Sequence, residues 1–406
     1  MEHFKDMAEA YTETQHVYIV GSKGIPARYG GFETFVDKLT ELRVSDNIRY
    51  HVASMRGNSE LSENADRFEY NQADVFSITV PNVGPARAIV YDMQALSFAI
   101  RDATENGYSH PIFYILASRI GPFLSSYSKK IHKIGGRVFL NPDGHEWKRQ
   151  KWSAPVRKYW KFSEYGMIKF SDFIVADNPK IQEYVENDYS RLKPDTRFIA
   201  YGTDLTPSNL RVDDDVIKDW YKKHNVKIND YYLIVGRFVP ENNYETMIRE
   251  FLNSNTDKQL VIVTNIEQNS FYKQLDKKTG FSTNPRINFV GTVYDQQLLK
   301  FIRQNAYGYF HGHAVGGTNP SLLEAMATTK LNMLVDVDFN RAVAEESALY
   351  WNLADGNLSQ LIDYADSLTV EEREALGKSV FDRVSTNFAW YKIVNQYEEL
   401  FLTENK

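Results

Sequence analysis

Short apolar runs rich in β-branched residues alternate with longer amphipathic segments along almost the whole chain. Runs of four to eight apolar residues are typical of buried strands, and the segments between them have the length of helices. Strands and helices that alternate in this order form parallel sheets. The strands predicted in the first half are 16–20, 49–55, 76–80, 111–117, 137–140, 172–176 and 197–202.

The pattern is interrupted once, by a polar helical stretch at 213–226, and then restarts. The chain has 406 residues, more than a single core usually holds, so two domains of roughly 150–200 residues are expected. We predict an α/β fold of two Rossmann-like domains with a ligand cleft between them. The strands predicted in the second half are 231–238, 259–264, 287–291, 307–313 and 331–337, and an amphipathic helix follows at 388–401.

The amino-acid composition narrows the range of functions that the protein could have. A hydrophobic content of 43% with 25% charged residues is typical of a globular protein, and a net charge of -6 argues against nucleic acid as the main partner. The absence of cysteine excludes disulfides, thiolate metal sites and a cysteine nucleophile. No apolar run approaches the roughly 20 residues of a membrane span, and residues 1–15 lack a signal-peptide pattern. The 14% aromatic content suits sugar-binding clefts, membrane surfaces and large cores alike.

A glycine-rich turn, "VGSKGIPARYGGFETFV", joins the first strand to a helix at 20–36. Its spacing fits neither the dinucleotide fingerprint nor the P-loop, which disfavours an NAD-dependent oxidoreductase or epimerase and a P-loop NTPase. Free N–H groups at the helix start favour an anionic ligand, and Arg28 adds positive charge. The alternative is a loop whose glycines only permit tight packing. The glycines concerned are Gly21, Gly24, Gly30 and Gly31.

A basic and aromatic segment, "WKRQKWSAPVRKYWKF", occupies 147–162 and contains no acidic residue. Cations interleaved with aromatic rings suit an anionic membrane surface or a lipid-linked pyrophosphate held there. The alternative is a solvated helix face with partly buried tryptophans. The predicted membrane contacts are Lys148, Arg149, Lys151, Trp152, Arg157, Lys158, Trp160 and Lys161.

Carboxylates follow two predicted strands of the first half. Asp143 lies in "NPDGHEW" together with His145, and Asp177 ends the strand at 172–176. Such positions suit hydroxyl binding or general-base chemistry. The alternatives are an ordinary Asp-Gly turn for Asp143 and a helix cap for Asp177 before Pro179.

The second half places Arg237 directly after a strand, and "HGHAVGGTNPSLLEAMA" at 311–327 reads as strand, glycine loop and helix. Backbone amides of Gly317, Thr318 and Asn319 suit a diphosphate, and Glu324 suits ribose hydroxyls. A strand-end arginine, a glycine loop and an acid near a helix start together indicate a nucleotide site more specifically than any one of them alone.

The histidines of the same segment, His311 and His313, alternate along the predicted strand. Two ligands without a third do not make a metal site, so we expect them to be structural or to line a sugar site.

Five segments together resemble the GT-B glycosyltransferases of family 4, and more narrowly the bacterial β-1,4-L-rhamnosyltransferases of capsule and cell-wall polysaccharide synthesis. The segments are "GSKGIPARYGGFETFV", "NVGPARAI", "NPDGHEWKRQKW", "VGRFVPENN" and "GGTNPSLLEAMA". The resemblance implies a polar extension over 1–15, an acceptor-binding domain over 16–205, a nucleotide-sugar-binding domain over 206–387, and a helix over 388–406 that packs back on the first domain.

Arg237 matches the diphosphate-binding arginine of the family, and Glu324 matches the second acid of its paired-glutamate motif. The chain departs from the family at two positions: Gly316 stands where the first acid belongs, and Asn243 where a lysine is usual. Sugar and phosphate contacts must therefore come from other groups, for which Asn242, Arg28 and the backbone at Gly30 and Gly31 are candidates. Asp143 and Asp177 lie where the resemblance to the subfamily is highest, and we assign them to acceptor binding or catalysis.

The resemblance implies a retaining transfer of L-rhamnose from dTDP-β-L-rhamnose to a lipid-pyrophosphate-linked saccharide at the cytoplasmic membrane face. A retaining GT-B site needs neither a protein nucleophile nor a metal, and we expect no cofactor and no nucleic-acid partner. Two alternatives remain: a glycosyltransferase that uses another nucleotide-sugar, and a non-catalytic GT-B partner subunit, which the departures at Gly316 and Asn243 suggest.

Overall fold

The computed structural model of the protein describes residues 14–28, 30–149 and 152–404. The chain forms two compact units. Unit 1 takes the residues up to Gly202 and those from Trp390 onward, and unit 2 is Thr203–Ala389. The divisions fall close to those expected at 205/206 and 387/388. Most of the predicted extension, 1–13, lies outside the described residues, and Gln15 already belongs to the first strand.

The sheet of unit 1 has eight strands in the order β3-β4-β2-β1-β5-β6-β7-β8. All neighbours pair in parallel except β3, which runs antiparallel to β4 at one edge. Val17–Val20 in the central strand are fully buried, as expected where helices cover both faces. The strands are β1 (Gln15–Val20), β2 (Ile48–Met55), β3 (Arg67–Tyr70), β4 (Ala73–Ile78), β5 (Ile112–Leu116), β6 (Arg137–Asn141), β7 (Phe173–Ala176) and β8 (Thr196–Phe198).

Helices connect these strands, and most carry one apolar face toward the sheet, such as Phe35, Val36 and Leu39 in the first of them. They are α1 (Gly31–Glu41), α2 (Glu60–Asn64), α3 (Arg87–Glu105), α4 (Gly121–Lys133), α5 (Ala154–Phe170) and α6 (Pro179–Asp188).

The second sheet has six strands in the order β11-β10-β9-β12-β13-β14, all parallel. Apolar clusters cover its two faces, one built around Tyr232 and Phe310 and the other around Leu233 and Tyr309. The strands are β9 (Tyr231–Val235), β10 (Gln259–Val263), β11 (Ile287–Gly291), β12 (Gly308–His311), β13 (Asn332–Val335) and β14 (Leu349–Trp351). The helices of unit 2 are α7 (Asp215–His224), α8 (Tyr244–Asn253), α9 (Ser270–Thr279), α10 (Gln296–Gln304), α11 (Pro320–Thr328), α12 (Asp338–Ala344), α13 (Asn357–Ser367) and α14 (Val370–Asn387).

The C-terminal helix α15 (Trp390–Thr403) packs on unit 1. Its Tyr397 ring lies 5.0 Å from that of Phe35, and its hydroxyl is 3.2 Å from that of Tyr114. Glu398 is buried, and its carboxylate accepts the backbone N–H groups of Val44 at 2.9 Å and Ser45 at 2.7 Å. A buried carboxylate thus joins the last helix to the loop after α1.

Two edge strands, β3 and β14, are missing from the prediction because they are only four and three residues long. Five predicted strands also end two to four residues early: those at 76–80, 197–202, 231–238, 307–313 and 331–337 stop at Ile78, Phe198, Val235, His311 and Val335. Several residues beyond these ends, such as Val80, Tyr201 and Phe238, are buried by tertiary packing, and an apolar pattern alone does not distinguish them from residues paired in a strand.

Candidate functional site

In each sheet the strand order reverses at one point, which is where ligands bind in open α/β sheets. In unit 1 the reversal lies between β1 and β5, and in unit 2 between β9 and β12. The loops after β1, β9 and β12 carry the glycine turn and most of the predicted donor-binding residues, whereas Asp143 and Asp177 follow β6 and β7, which lie beyond β5 in the same sheet. We call the side of each sheet formed by the carboxyl ends of its parallel strands the unit 1 edge and the unit 2 edge.

The glycine loop after β1 is held by close packing. A Cβ on Gly21 would lie 2.2 Å from the Leu116 carbonyl oxygen, and one on Gly24 would lie 2.2 Å from Ser54 Oγ. Both residues have positive φ, at 106° and 107°. Close packing and the positive φ therefore explain why glycine occupies both positions, without a bound ligand.

Gly30 and Gly31 begin α1. Gly30 is the N-cap residue with φ 130°, and a Cβ there would meet Glu33 Oε2 at 1.9 Å. The Glu33 carboxylate is buried and accepts the Lys23 backbone N–H at 2.8 Å, so it closes the loop over the helix start. Arg28 is exposed to solvent. A carboxylate beside this helix start weakens the case for an anion bound there.

An arginine that the sequence reasoning missed, Arg119, organises the unit 1 edge, and 20% of its side chain is exposed. Its guanidinium donates to the Gly21 carbonyl at 2.8 Å and to Asp92 Oδ2 at 3.1 Å. Asp92 lies on α3 and is fully buried, and its Oδ1 has no partner among the described residues. Burial raises the pKa of Asp92, and Arg119 opposes that rise. The sequence feature that could have identified Arg119 is a charged residue directly after the apolar run 111–117.

Asp143 follows β6 and takes a left-handed conformation with φ 62°. Its backbone N–H donates to Asn141 Oδ1 at 2.9 Å, and its own Oδ1 accepts from Gly144 N–H at 2.8 Å. Burial raises the pKa of Asp143, whereas the positive charges of Arg149 and Arg119 lower it. The Asp-Gly turn is real, and it holds a carboxylate of increased basicity at the unit 1 edge.

His145 lies in the same loop but is buried against aromatic rings. Its ring centroid is 5.8 Å from that of Trp147 and 4.3 Å from that of Tyr184. Burial and the nearby Lys148 and Lys161 lower the pKa of His145 to about 4. This histidine is neutral near pH 7 and packs in the protein, so its assignment to a phosphate loop gains no support from its position.

Asp177 is buried at the end of β7 and is not the cap of the helix after it. Asn178 is the N-cap of α6, and its side chain accepts the Lys180 N–H at 2.9 Å. Asp177 and Asp143 both act electrostatically on the Tyr201 hydroxyl, whose pKa is raised first by burial and then by these two carboxylates. The two predicted acids therefore lie in one neighbourhood of the unit 1 edge.

The basic aromatic segment divides into buried and exposed members. Arg149 is only 8% exposed and its Nε lies 2.5 Å from Glu146 Oε2, so it is not available to a membrane. The Trp152 indole N–H donates to the same Glu146 carboxylate at 2.7 Å. Lys161 lies over the rings of Trp147, Tyr184 and Tyr189, and Trp160 is half-buried. Lys151 lies outside the described residues.

The exposed members form a stripe on α5. Lys158, Phe162, Tyr165 and Lys169 follow one another at intervals of three or four residues, which places them on one helix face, and all four are exposed. Phe162, at 63% exposure, is the most open of the aromatic pair. We call these four residues the α5 stripe; Lys148 and Arg157 are exposed nearby in the sequence.

The unit 2 edge is built around the loop after β9. Arg237 is exposed, and its backbone carbonyl accepts from Asn242 Nδ2 at 2.8 Å. Asn243 has φ 56°, and its Nδ2 donates to the Gly312 carbonyl at 2.8 Å. Asn243 thus joins the loop after β9 to the loop after β12, a packing role that a lysine would not fill in the same way.

The loop after β12 leads into α11. Asn319 is the N-cap residue and accepts the Ser321 N–H at 2.9 Å, with Pro320 at the first helical position. Thr318 is buried, and Gly316 has φ 132°. The helix start carries partial positive charge and lies in the same loop as Gly316 and Gly317.

Glu324 lies in the second turn of α11, near the helix start as expected, and it is paired. Its Oε2 lies 2.6 Å from Arg303 Nη2, with 39% of the glutamate side chain exposed and 3% of the arginine. Arg303 lies on α10 and is buried, and the sequence reasoning missed it because it falls on the apolar face of an amphipathic helix. Its pairing fixes the carboxylate of Glu324 while leaving part of it open to a ligand.

One group of potential metal ligands occurs among the described residues: His51, Asp74 and Asp102 have ligand atoms within 4.8 Å of one another. Arg67 already bridges the two carboxylates, donating to Asp74 Oδ1 at 2.6 Å and to Asp102 Oδ1 at 2.8 Å. An arginine in this position supplies the positive charge that a metal would bring. The expectation that no metal is needed remains a prediction.

Comparisons with solved structures identify the fold. Sucrose-phosphate synthase from Thermosynechococcus elongatus is 17% identical, with 95% of this chain and 98% of that chain covered and a TM-score of 0.71. Trehalose 6-phosphate synthase from Burkholderia multivorans is 9% identical, with 96% of each chain covered and a TM-score of 0.71. Anabaena HepE, solved in complex with UDP and glucose, is 12% identical, with 95% and 99% covered and a TM-score of 0.68.

This chain has the GT-B fold. The predicted fold class, with one Rossmann-like sheet in each unit, is confirmed. Identities this low establish the shared fold alone. The family model that matches residues 14–204 is described as a domain of unknown function, DUF1972, and it covers unit 1 rather than the GT-B chain as a whole. No curated protein matches the sequence.

None of the described helices is both long and apolar enough to cross a membrane.

Proposed function

We propose that this GT-B protein is a glycosyltransferase that takes its sugar from a nucleoside-diphosphate sugar bound at the unit 2 edge. The observation that carries the proposal is the convergence, at the switch point of the second sheet, of exposed Arg237 and the N-terminus of α11. Cationic and N–H groups at such a point suit a diphosphate. Anabaena HepE, which shares the fold, was solved with UDP and glucose.

Arg237 and the backbone amides around Gly317 and Asn319 hold the diphosphate, and Glu324 accepts hydrogen bonds from ribose hydroxyls. In the transfer, the bond from the sugar C1 to the phosphate oxygen breaks and a bond from C1 to the acceptor oxygen forms. The acceptor hydroxyl proton passes to the departing diphosphate. The contribution of the protein is to position both substrates and to stabilise the negative charge that develops on the phosphate.

The acceptor binds at the unit 1 edge. Asp143 and Asp177 are two neighbouring carboxylates at strand ends, and carboxylates are strong acceptors for the hydroxyl groups of a saccharide. The raised pKa of Asp143 makes its carboxylate a strong hydrogen-bond acceptor, which suits a group that orients the acceptor hydroxyl while the proton passes to the diphosphate.

The finer assignment is transfer of L-rhamnose from dTDP-β-L-rhamnose to a lipid-pyrophosphate-linked saccharide, with a β-1,4 linkage and retained configuration, in polysaccharide synthesis at the cytoplasmic membrane face. Its support is the sequence resemblance together with the α5 stripe. The stripe places two exposed aromatic rings between two lysines, a combination that suits the headgroup region of an anionic membrane.

A donor panel tests the proposal. The full-length protein is incubated with dTDP-L-rhamnose, UDP-glucose and other nucleotide-sugars, each with a synthetic lipid-pyrophosphate glycan, and release of the nucleoside diphosphate is measured. We expect dTDP-L-rhamnose to be consumed only when acceptor is present. Consumption of a UDP-sugar instead would overturn the rhamnose assignment while leaving the glycosyltransferase assignment in place.

Two substitutions test the proposed donor site at the unit 2 edge and the proposed acceptor site at the unit 1 edge separately. Arg237→Ala should weaken nucleoside-diphosphate binding roughly 10- to 100-fold, because it removes a charge-assisted interaction, and should leave the fold intact because the side chain is exposed. Asp143→Asn should lower transfer more than donor binding. Wild-type binding by Arg237→Ala would contradict the donor site, and a larger effect of Asp143→Asn on donor binding than on transfer would reassign Asp143.

A second candidate is a non-catalytic partner subunit with the same fold. Gly316 and Asn243 favour it, because both replace groups that the family uses for its substrates. Donor binding without turnover on any acceptor of the panel would support this alternative.

A further inference from the structure

The guanidinium of Arg119 has hydrogen-bond donors that the fold does not use. Within the described part of the chain, all of its hydrogen bonds come from Nη1, which donates to the Gly21 carbonyl at 2.8 Å, to Asp92 Oδ2 at 3.1 Å and to the Leu116 carbonyl at 3.4 Å. Nε and Nη2 make none, and neither is among the fully enclosed side-chain atoms that lack a partner. Since 20% of the side chain is exposed, these two nitrogens are the part of Arg119 that a ligand can reach.

The main chain carries this guanidinium on a fixed segment of the unit 1 edge. Arg119 lies three residues beyond the end of β5, and its carbonyl accepts from the Tyr159 hydroxyl on α5 at 2.7 Å. The Ser118 carbonyl accepts from Ser163 Oγ, also on α5, at 2.7 Å. The open nitrogens therefore have a defined place at the edge, as a binding group requires.

An open acceptor lies on the neighbouring segment. Beyond the paired strands β5 and β6, Ser118 Oγ donates to the Pro142 carbonyl at 3.2 Å. Arg119 and Asp143 are the next residues on the two segments, and each acts electrostatically on the other. Asp143 Oδ1 accepts from the Gly144 N–H at 2.8 Å, whereas Oδ2 makes no hydrogen bond within the described residues and is not an enclosed atom. Open donors and an open acceptor thus stand side by side.

The charges around Arg119 determine which kind of ligand these groups can bind. Burial lowers the pKa of the guanidinium, but the carboxylates of Asp92, Asp143 and Glu33 raise it by more. A phosphate or a carboxylate brought to Nε and Nη2 would be repelled by these three groups, whereas a neutral oxygen would not. The open donors are therefore suited to a hydroxyl oxygen.

We infer that Arg119 and Asp143 together bind two adjacent hydroxyl groups of the acceptor sugar. Asp143 Oδ2 accepts from one hydroxyl, and Nε or Nη2 of Arg119 donates to the oxygen of its neighbour. The sugar that receives the transferred residue is then an uncharged sugar with two free adjacent hydroxyls, and a uronic acid is disfavoured there by charge. The inference rests on the proposed function, because it requires a saccharide acceptor at the unit 1 edge.

The test uses synthetic lipid pyrophosphates whose terminal sugar is glucose or galactose, each monodeoxy form of that sugar, or the matching uronic acid. With the donor that the panel selects, KM and kcat are measured for full-length wild type, for Arg119→Lys, and for Arg119→Met combined with Asp92→Asn. Arg119→Lys keeps the charge opposite Asp92 and the double variant removes both charges, so both should fold. The matched control is Arg101→Lys, an exposed arginine on the same helix as Asp92.

We expect Arg119→Lys to raise the KM for the neutral acceptor roughly 5- to 30-fold, because a hydrogen bond from a charged group is lost. The double variant should show a rise at least as large, and both should keep the affinity for the nucleoside diphosphate within about twofold of wild type. The monodeoxy acceptor that lacks the contacted hydroxyl should be used equally by wild type and Arg119→Lys. The uronic acid should be at least about 10-fold poorer than the neutral sugar for wild type.

An equal rise in KM for the neutral acceptor and for all of its monodeoxy forms would overturn the inference, because it would show that Arg119 only maintains the structure of the edge. A wild-type KM in both variants, or a preference of wild type for the uronic acid, would overturn it as well. If no nucleotide-sugar is consumed with any acceptor, the proposed function fails and takes the inference with it. Transfer that does not respond to the Arg119 substitutions removes the inference alone.

Discussion

The unit 1 edge and the unit 2 edge occupy the same place in two similar sheets, yet they present opposite chemistry. At the unit 1 edge, carboxylates surround an arginine whose side chain is 20% exposed: Asp92 is paired with Arg119, and Asp143 acts on it electrostatically. At the unit 2 edge, Arg237 is exposed beside the amides of Asn242 and Asn243, and the carboxylate of Glu324 is neutralised by Arg303. The first edge is suited to hydroxyl groups and the second to a diphosphate with an attached sugar.

Local backbone structure does not explain this difference, because both edges contain the same type of helix start. An Asn-Pro pair starts a helix at each edge, and in both cases the asparagine accepts the N–H two residues on at 2.9 Å: Asn178 with Lys180 and Asn319 with Ser321. What differs is the charge of the groups placed around the helix start. The comparison shows that a helix N-terminus can bind an anion only when the side chains around it carry no opposing negative charge.

The largest effect is expected from the two arginines that pair with carboxylates, Arg119 with Asp92 and Arg303 with Glu324. Arg119→Met leaves the fully buried Asp92 without its cation and should destabilise unit 1 by about 3–5 kcal/mol. Arg303→Met should cost unit 2 less, about 1–2 kcal/mol, because 39% of the Glu324 side chain is exposed and can be hydrated. Denaturant unfolding with hydrogen exchange resolved by peptide would report each unit separately.

Asp92→Asn combined with Arg119→Met is the control, since removal of both charges should recover much of the lost stability. Equal costs for the two arginine substitutions would contradict the distinction between a buried and a partly hydrated pair.

The next largest effect is a pH dependence of stability at Glu398, a buried carboxylate of unit 1 that lies away from the unit 1 edge. Burial raises the pKa of Glu398 to about 7 from 4.5, although the N–H groups of Val44 and Ser45 oppose the rise. Between these two pH values the unfolded chain has lost the proton that the folded chain keeps. The stabilisation is therefore complete below pH 4.5 and is lost as the pH rises through about 7, by at most about 3 kcal/mol.

Glu398→Gln removes this titration, so the difference in unfolding free energy between wild type and Glu398→Gln should change with pH over that interval. A difference that is constant from pH 4.5 to pH 7.5 would show that Glu398 ionises normally. Unit 1 would then tolerate a buried carboxylate charge that is held by two backbone N–H groups, without the cation that pairs with Asp92 at the unit 1 edge.

The smallest effect uses the matched pair of helix caps. Asn178→Ala and Asn319→Ala each remove one cap hydrogen bond and should each cost about 1 kcal/mol of stability. Only Asn319→Ala should weaken binding of a nucleoside diphosphate, by a few-fold. If both or neither of the substitutions weaken it, the assignment of the anion site to the unit 2 edge is wrong.

Much of the fold followed from the sequence, because buried parallel strands are continuous apolar runs that periodicity recognises directly. Of the candidate site, the sequence supplied residues of the loops that follow strands, such as Asp143 and Arg237, and the helix cap Asn319. It missed Arg119 and Arg303, whose partners lie on other elements of the chain. It also grouped Arg149 and Lys161 with surface cations, whereas Arg149 pairs with Glu146 and Lys161 lies among aromatic rings.

By itself, the sequence determined the alternation of strands and helices, the restart near residue 231, and the glycine and proline positions that shape the loops at both edges. These properties are local, since they depend on side-chain volume, hydrophobicity and backbone freedom over a few residues. Only the tertiary structure decided which charges are paired and which are open to a ligand. Pairing depends on side chains far apart in sequence meeting in the fold, as Arg119 meets Gly21 and Asp92, and as Arg303 meets Glu324.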